Sequence, residues 1–321
     1  MTPQKIISRT IHIKSSSAHE RLDQALTKLM PEYSRSQIQK WIEAGDIQIN
    51  ASQTKSNYRV LGGETVTVNT VILDQSWEAE AIPLSIVYED EDLMIIDKHI
   101  GMVVHPGAGH KDHTLLNALI HHAPQLKILP RAGILHRLDK NTSGLLIIAK
   151  NHLALKKLSH QLKKHHIIRE YQAIVYGTLI SGRTIDAPIG RHPRERKRMS
   201  IVDTGKSAIT HFRVVEKYRS HTRVKVKLET GRTHQIRVHM ASIHHPIIGD
   251  KIYGGALRLS KNMSADLIML LRHFKRQALH AYALTFTHPI TDKQCHFEIE
   301  LPADMRELIH LLREDMKRHT P

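Results

Sequence analysis

Leu22, Ala25, Leu26 and Leu29 recur at the three- and four-residue spacing of an amphipathic helix. Pro31 ends that helix. Ser34 with Gln37 three residues on gives a capping-box start to a second helix, whose apolar face is Ile38, Trp41 and Ile42. Gly45 closes it. The period then falls to two. Residues 46–50 alternate as a strand, Gly62-Gly63 turns the chain into another at 64–68, and residues 5–14 ahead of the helices read as a third. A new series starts at residue 84. Strands 84–88 and 93–96 flank the acidic turn 89–92, a short amphipathic helix covers 114–122, and Leu145 to Ala149 is a continuous apolar run of buried-strand length. Asn151 can cap a helix carrying Leu155, Leu158 and Leu162 on one face. Strands follow at 170–177, 209–218 and 222–229, the last two alternating as an antiparallel pair. Residues 304–318 form a closing helix.

This pattern predicts an α+β protein of two domains. Residues 1–17 are an N-terminal strand or arm, 18–78 a compact unit of two helices and small strands, 79–83 a linker, and 84–321 a larger domain on a mainly antiparallel sheet. Residues 74–97 contain eight acidic side chains and no basic one, which marks the change of domain. With 321 residues and 40% apolar content, the chain can bury a sizeable core. A single cysteine, Cys295, excludes an intrachain disulfide or a thiolate metal cluster and fits a reducing compartment. The sequence has no apolar run of signal-peptide or membrane length, so the expectation is a cytoplasmic monomer without a membrane partner.

Charge narrows the partner. The net charge is +16, and its distribution is uneven. Residues 131–240 hold 24 of the 47 Lys and Arg but 7 of the 31 Asp and Glu, so this one segment carries the whole excess. A polyanion-binding face needs such segregation, and a merely soluble protein does not. The loop Arg191, Arg194, Arg196, Lys197 and Arg198 is its densest cluster. Charge runs are ordinarily just solvated, but within this segment direct contact with a polyanion backbone is an even competitor. Twenty-six histidines raise the question of a metal, yet H-E-x-x-H is absent and the adjacent pairs are poorly placed to share an ion, so no metal site is expected. Nucleotide-binding glycine motifs are also absent.

The candidate chemistry lies at Gly133 to Lys150, GILHRLDKNTSGLLIIAK, a polar turn delivered onto the buried run. Asp139 sits there between cationic neighbours, Arg137 and Lys140, where a carboxylate should be ionised near neutral pH. An isolated aspartate in a turn is ordinarily an Asx-turn or a helix cap. Here HRLD followed by KNTSGLL closely resembles the catalytic signature of the RluA-type pseudouridine synthases. Further segments resemble the same family: GMVVHPG at 101–107, Glu170 to Gly177, TGRTHQIRVHM at 230–240, PIIGDKIYG at 246–254 and QALHA at 277–281. Where the family usually has Lys-Pro before the first of these, this chain has Lys98-His99. RLDQAL and YSRSQIQKWIEAGDIQIN resemble the S4 RNA-binding domain, with Arg21, Arg35 and Lys40 at its basic positions. Ile49-Asn50-Ala51 stands where Val-Asn-Gly is usual, so the turn there is expected to differ.

The resemblance implies a bent, mainly antiparallel sheet with the active site in a cleft across it. It implies isomerisation of specific uridines to pseudouridine in a 23S ribosomal RNA stem-loop, within the assembling large subunit, and no cofactor. Asp139 would attack C1′ as a nucleophile or remove a C2′ proton. Tyr171 would stack on the flipped uracil, Arg237 would ion-pair with Asp139, and Arg137 would fill the space the base leaves. Lys140, Arg232 and the 191–198 loop would be further RNA contacts. A non-catalytic RNA-binding or assembly factor would explain the charge but not the intact aspartate, tyrosine and arginine motifs.

Overall fold

In a computed structural model the described residues are 4–319 except 32, 34, 74–76, 108, 196 and 197. The predicted Ser34 cap and the candidate RNA contacts Arg196 and Lys197 therefore lie outside the described residues. The chain divides into two compact units, Met1–Ser76 and Trp77–Pro321.

The first unit comprises β1 (Gln4–His12), α1 (Leu22–Leu29), α2 (Arg35–Ala44), β2 (Ile47–Ile49), β3 (Ser52–Gln53) and β4 (Thr65–Leu73). Its sheet order is β1-β4-β2-β3. The strand read at 5–14 is present as β1, which pairs with β4 along its whole length. The predicted helical faces turn inward, so that Leu22, Leu26, Ile38 and Ile42 pack with Ile47, Val66 and Val68 in one core. Asn50 and Ala51 form the two-residue β2–β3 turn, with φ of 47° and 63°. The left-handed pair matches the twist of a tight hairpin, although alanine is a poor occupant of that region.

The second unit comprises β5 (Ser85–Glu89), β6 (Leu93–Lys98), α3 (Leu115–His122), β7 (Ser143–Ala149), α4 (His152–Lys163), β8 (Ile168–Tyr176), β9 (Arg183–Asp186), β10 (Ile189–Arg191), β11 (Met199–Ile201), β12 (Ile209–Lys217), β13 (His221–Leu228), α5 (Gln235–Ser242), α6 (Ala265–His273), β14 (Leu279–Thr287), β15 (Gln294–Glu298) and α7 (Ala303–Lys317). Nine strands form one sheet in the order β5-β6-β7-β14-β8-β13-β12-β9, with β15 paired to β14, while β10 and β11 form a separate hairpin. Every pairing in the large sheet is antiparallel except β7 with β14.

From Leu145 to Ala149 β7 is continuously apolar, and both its faces are covered. Leu146 and Ile148 join the main core, while Leu145, Ile147 and Ala149 pack against Ala154 and Leu158 of α4 and Phe286 of β14. Asn151 caps α4 as predicted, its Oδ1 accepting the Ala154 amide at 2.9 Å. At the head of β7, Gly144 has φ +115°, and a Cβ there would lie 2.2 Å from the Ala281 carbonyl oxygen. Only glycine lets the polar turn run onto the sheet against β14.

Candidate active site

The turn before β7 places Asp139 between two cavities. One, of about 610 Å³, is walled by β8, the end of β13, the start of α5 and part of α4, and includes Arg169, Tyr171, Leu228, Gly231, Arg232 and Ile236. The other, of about 600 Å³, is lined by the 103–107 loop, His110, Lys140, Lys251 and Lys275. His105, Arg137, Leu138, Asp139, His234 and Arg237 line both.

Asp139 is held by a chain of ions. Arg237 Nη1 donates to its Oδ2 at 2.9 Å, while Nε and Nη2 of the same guanidinium donate to Asp250 at 2.6 and 2.9 Å. Asp250 also accepts the Ile252 and Tyr253 amides, at 2.9 and 3.1 Å. Burial works to raise the Asp250 carboxyl, but the Arg237 guanidinium outweighs it and holds it below its ordinary value. The planar guanidinium is thus fixed on one side by a buried carboxylate and presents its remaining edge to Asp139. His234, in a left-handed conformation at the start of α5, lies across from it, with Nε2 3.9 Å from Asp139 Oδ1. Tyr253 Oη accepts the Met199 amide at 2.8 Å and lies 2.8 Å from His234 Nδ1. Its hydroxyl proton is then free for Nδ1, which turns the Nε2–H toward Asp139.

Lys98 supports the same turn from beneath. It is 1% exposed, and its ammonium donates to the carbonyls of His99, Met102 and Lys140 at 2.8, 3.1 and 3.1 Å. Burial pushes it down to about 7, against the pull of Asp139 and Asp97. Three carbonyls match the three N–H groups of the charged form, so the protonated lysine ties the residue after Asp139 to the 99–102 loop.

Tyr171 is buried on β8, and burial, with Asp139 nearby, raises its hydroxyl above the ordinary value. The structure therefore gathers Asp139, Tyr171, Arg237 and Arg137 around one cavity, and Arg232 lines it as well. Lys140 lines the second cavity, its Nζ 3.4 Å from His110 Nε2. Arg191 and Arg194 are exposed and border neither. Arg198 donates to Glu195 at 3.0 Å and lies 5.5 Å from the Tyr253 ring centre.

In the first unit, Arg21 and Arg35 both donate to Asp23, at 3.0 to 3.1 Å and 2.9 to 3.0 Å, and Gln39 donates to it at 2.5 Å. Asp23 is fully buried. Burial alone would raise its carboxyl, but the hydrogen bonds from Arg21, Gln39 and Arg35 bring it down to about 2. Lys40 is exposed.

Sequence reasoning missed Asp23, Lys98, Arg169, His234, Asp250 and Tyr253 as parts of the sites. The signal for the last three was their position in the 230–240 motif for His234 and in the 246–254 motif for Asp250 and Tyr253.

The family profile described as RNA pseudouridylate synthase matches residues 92–242, and the S4 domain profile matches residues 20–66. The chain belongs to the RNA pseudouridylate synthase family and is an enzyme of the isomerase class. Its relatives include proteins named ribosomal large subunit pseudouridine synthase D. The one from Vibrio cholerae is 48% identical over 97% of each chain, and the one from Escherichia coli K12 is 47% identical over 98% of this chain and 97% of its own. Among solved structures, human RNA pseudouridylate synthase domain containing 1 is 26% identical, with a TM-score of 0.54 over 76% of this chain and 98% of its own. Among the described residues no helix is long and apolar enough to cross a membrane.

Proposed function

We propose that the chain converts uridines of large-subunit ribosomal RNA to pseudouridine, acting as a cytoplasmic monomer on a stem-loop of the assembling subunit. In this reaction the N1–C1′ bond breaks, the uracil turns, and a C5–C1′ bond forms. The C5 proton is lost and N1 gains one, so atoms balance without a cofactor. Asp139 acts at the sugar, either as a nucleophile on C1′ or as a base at C2′. Arg237 fixes its rotamer and charge. Tyr171 offers the flipped base a stacking face, and Arg137 occupies the gap left in the RNA, offsetting an unstacking cost of about a few kcal/mol. Lys140, Arg232 and the 191–198 loop contact backbone phosphates beside the cleft, and Arg21, Arg35 and Lys40 do so from the S4 domain.

The observation that carries this reading is the Asp250–Arg237–Asp139 chain, which aims one carboxylate at a cavity containing a buried tyrosine. The names of the relatives support ribosomal RNA as the substrate. The test is tritium release from large-subunit rRNA labelled at uridine C5. Wild type should release tritium, and Asp139→Asn should bind the RNA but release none. No release by wild type from rRNA or pre-50S particles would favour a non-catalytic assembly factor, and equal release by both proteins would mean a different carboxylate acts.

A further inference from the structure

The wall of the Tyr171 cavity contains a charge with which no carboxylate among the described residues pairs. Arg169 precedes Tyr171 by two residues on β8, so both side chains leave the same face of the sheet. Arg169 is 5% exposed. Its one hydrogen bond runs from Nη2 to the Glu229 carbonyl at a long 3.4 Å, and that carbonyl is already taken by His165. Its Nε is buried without a partner. Among the described residues no carboxylate pairs with it. Nη1 lies against Gly231, where a Cβ would come within 2.7 Å of it, so this glycine serves to leave room for the guanidinium. On the same wall His136 keeps a second unpartnered buried atom, Nδ1, while its Nε2 accepts the Ile147 amide at 3.4 Å. A buried guanidinium using one of its five donors is expensive unless a ligand completes it.

We propose that Arg169 is a specificity-determining residue that donates hydrogen bonds to a carbonyl oxygen of the flipped uracil. The inference rests on the pseudouridine synthase reading above. The depth of the group, walled by Leu228, Leu135 and Tyr171, suits the edge of a base rather than a phosphate, which stays with the backbone at the surface. The symmetry of uracil makes one such donor sufficient for the whole reaction. Turning the base by half a revolution about its N3–C6 axis exchanges N1 with C5 and O2 with O4. A guanidinium that holds O4 before the glycosidic bond breaks meets O2, an equivalent acceptor, after the turn. It thus keeps its grip on a base that has no covalent link to the RNA. Cytosine would present an amino group to the same donors in one of the two orientations and be rejected.

The test uses the full-length protein and rRNA labelled at uridine C5. Arg169→Met should lower kcat about 10- to 100-fold, the worth of a charge-assisted hydrogen bond, while RNA Kd stays within about twofold. Arg169→Ala should regain turnover on addition of millimolar guanidinium ion but not of methylammonium. A rise in Kd with a salt slope shallower by about one would make Arg169 a phosphate contact and overturn the proposal. Loss of kcat with a lowered unfolding midpoint and no guanidinium rescue would overturn it in favour of a packing role. Should Arg169→Ala not fold, Arg169→Lys keeps charge and bulk and carries the same kcat-against-Kd comparison. Wild-type protein that releases no tritium would refute the functional reading itself, not this refinement of it.

Discussion

Asp250→Asn tests whether the remote carboxylate, and not the fold alone, holds the Asp139 clamp. Asp250 Oδ1 accepts three hydrogen bonds, from Arg237 Nη2 and the Ile252 and Tyr253 amides, and Oδ2 accepts one from Arg237 Nε. Asparagine can keep the first three, but its amide NH2 then faces the Arg237 Nε–H, donor against donor. One charge-assisted bond is lost, and a guanidinium that is 5% exposed loses its buried counter-charge. Breaking a buried pair in this way costs about 3–5 kcal/mol. The assay is urea unfolding followed by tryptophan fluorescence. The two tryptophans, Trp41 and Trp77, lie in different units, so a Trp41→Phe background leaves Trp77 to report on the second unit alone. The pH dependence has a definite sign. The folded Asp250 carboxyl lies below its ordinary value, so its contribution is fully present above the unfolded pKa of about 3.9 and is lost as pH falls through the lower folded value. The cost of the substitution should therefore be constant from pH 7 to 5 and shrink toward pH 3. A cost below about 1 kcal/mol at pH 7, or one that stays undiminished at pH 3, would refute the reasoning.

Further outcomes follow from other sites. Gly144→Ala, with its Cβ 2.2 Å from the Ala281 carbonyl oxygen, should cost more than about 3 kcal/mol and show as loss of soluble protein or a large fall in Tm. Ala51→Gly should stabilise the first unit by about 0.5–1 kcal/mol, because φ of 63° strains alanine and not glycine; Trp41 fluorescence in a Trp77→Phe background reads this. Burial pushes His221 and His280 down to about 4 and His136 to about 3, so all three should stay neutral in the folded protein, their imidazole NMR shifts unmoved from pH 8 to 5. Since these pKa values lie below the unfolded value of about 6.5, each histidine should subtract stability as pH falls below that point, by about 1.4 kcal/mol per pH unit.

Local signals in the sequence were reliable where one segment decided its own structure. The Leu145–Ala149 run had the length of a buried strand and is one, Asn151 had the side chain its cap required, and the alternation of Val224, Val226 and Leu228 fixed the inward face of β13. Asp139 was legible through the motif around it. What escaped depends on residues distant in the chain. Nothing near Asp23 announces that Arg35 and Gln39 will converge on it, and Lys98 reads as an ordinary strand-end lysine until the Lys140 carbonyl is brought over it. Arg169 looks like any exposed strand cation because its burial is imposed by β13 and Gly231. The strands β9, β10 and β11 were missed because three or four residues are too few to establish a period.

The placement of β14 bears on how the protein is made. This strand, Leu279–Thr287, lies between β7 and β8 at the centre of the large sheet, although it is nearly the last to be synthesised. Strands β5 to β7, and β8 with β9, β12 and β13, can pair among themselves as they leave the ribosome, but among the described residues the sheet joins these two halves only through β14. The first unit draws all its strands from residues before 77 and can fold while the rest is still being translated. The nascent chain would thus carry a finished S4 domain for some two hundred residues before its catalytic sheet could close. A fragment truncated between residues 255 and 276 would lack the central strand and keep the 133–150 and 230–254 motifs on two half-sheets without the strand that joins them.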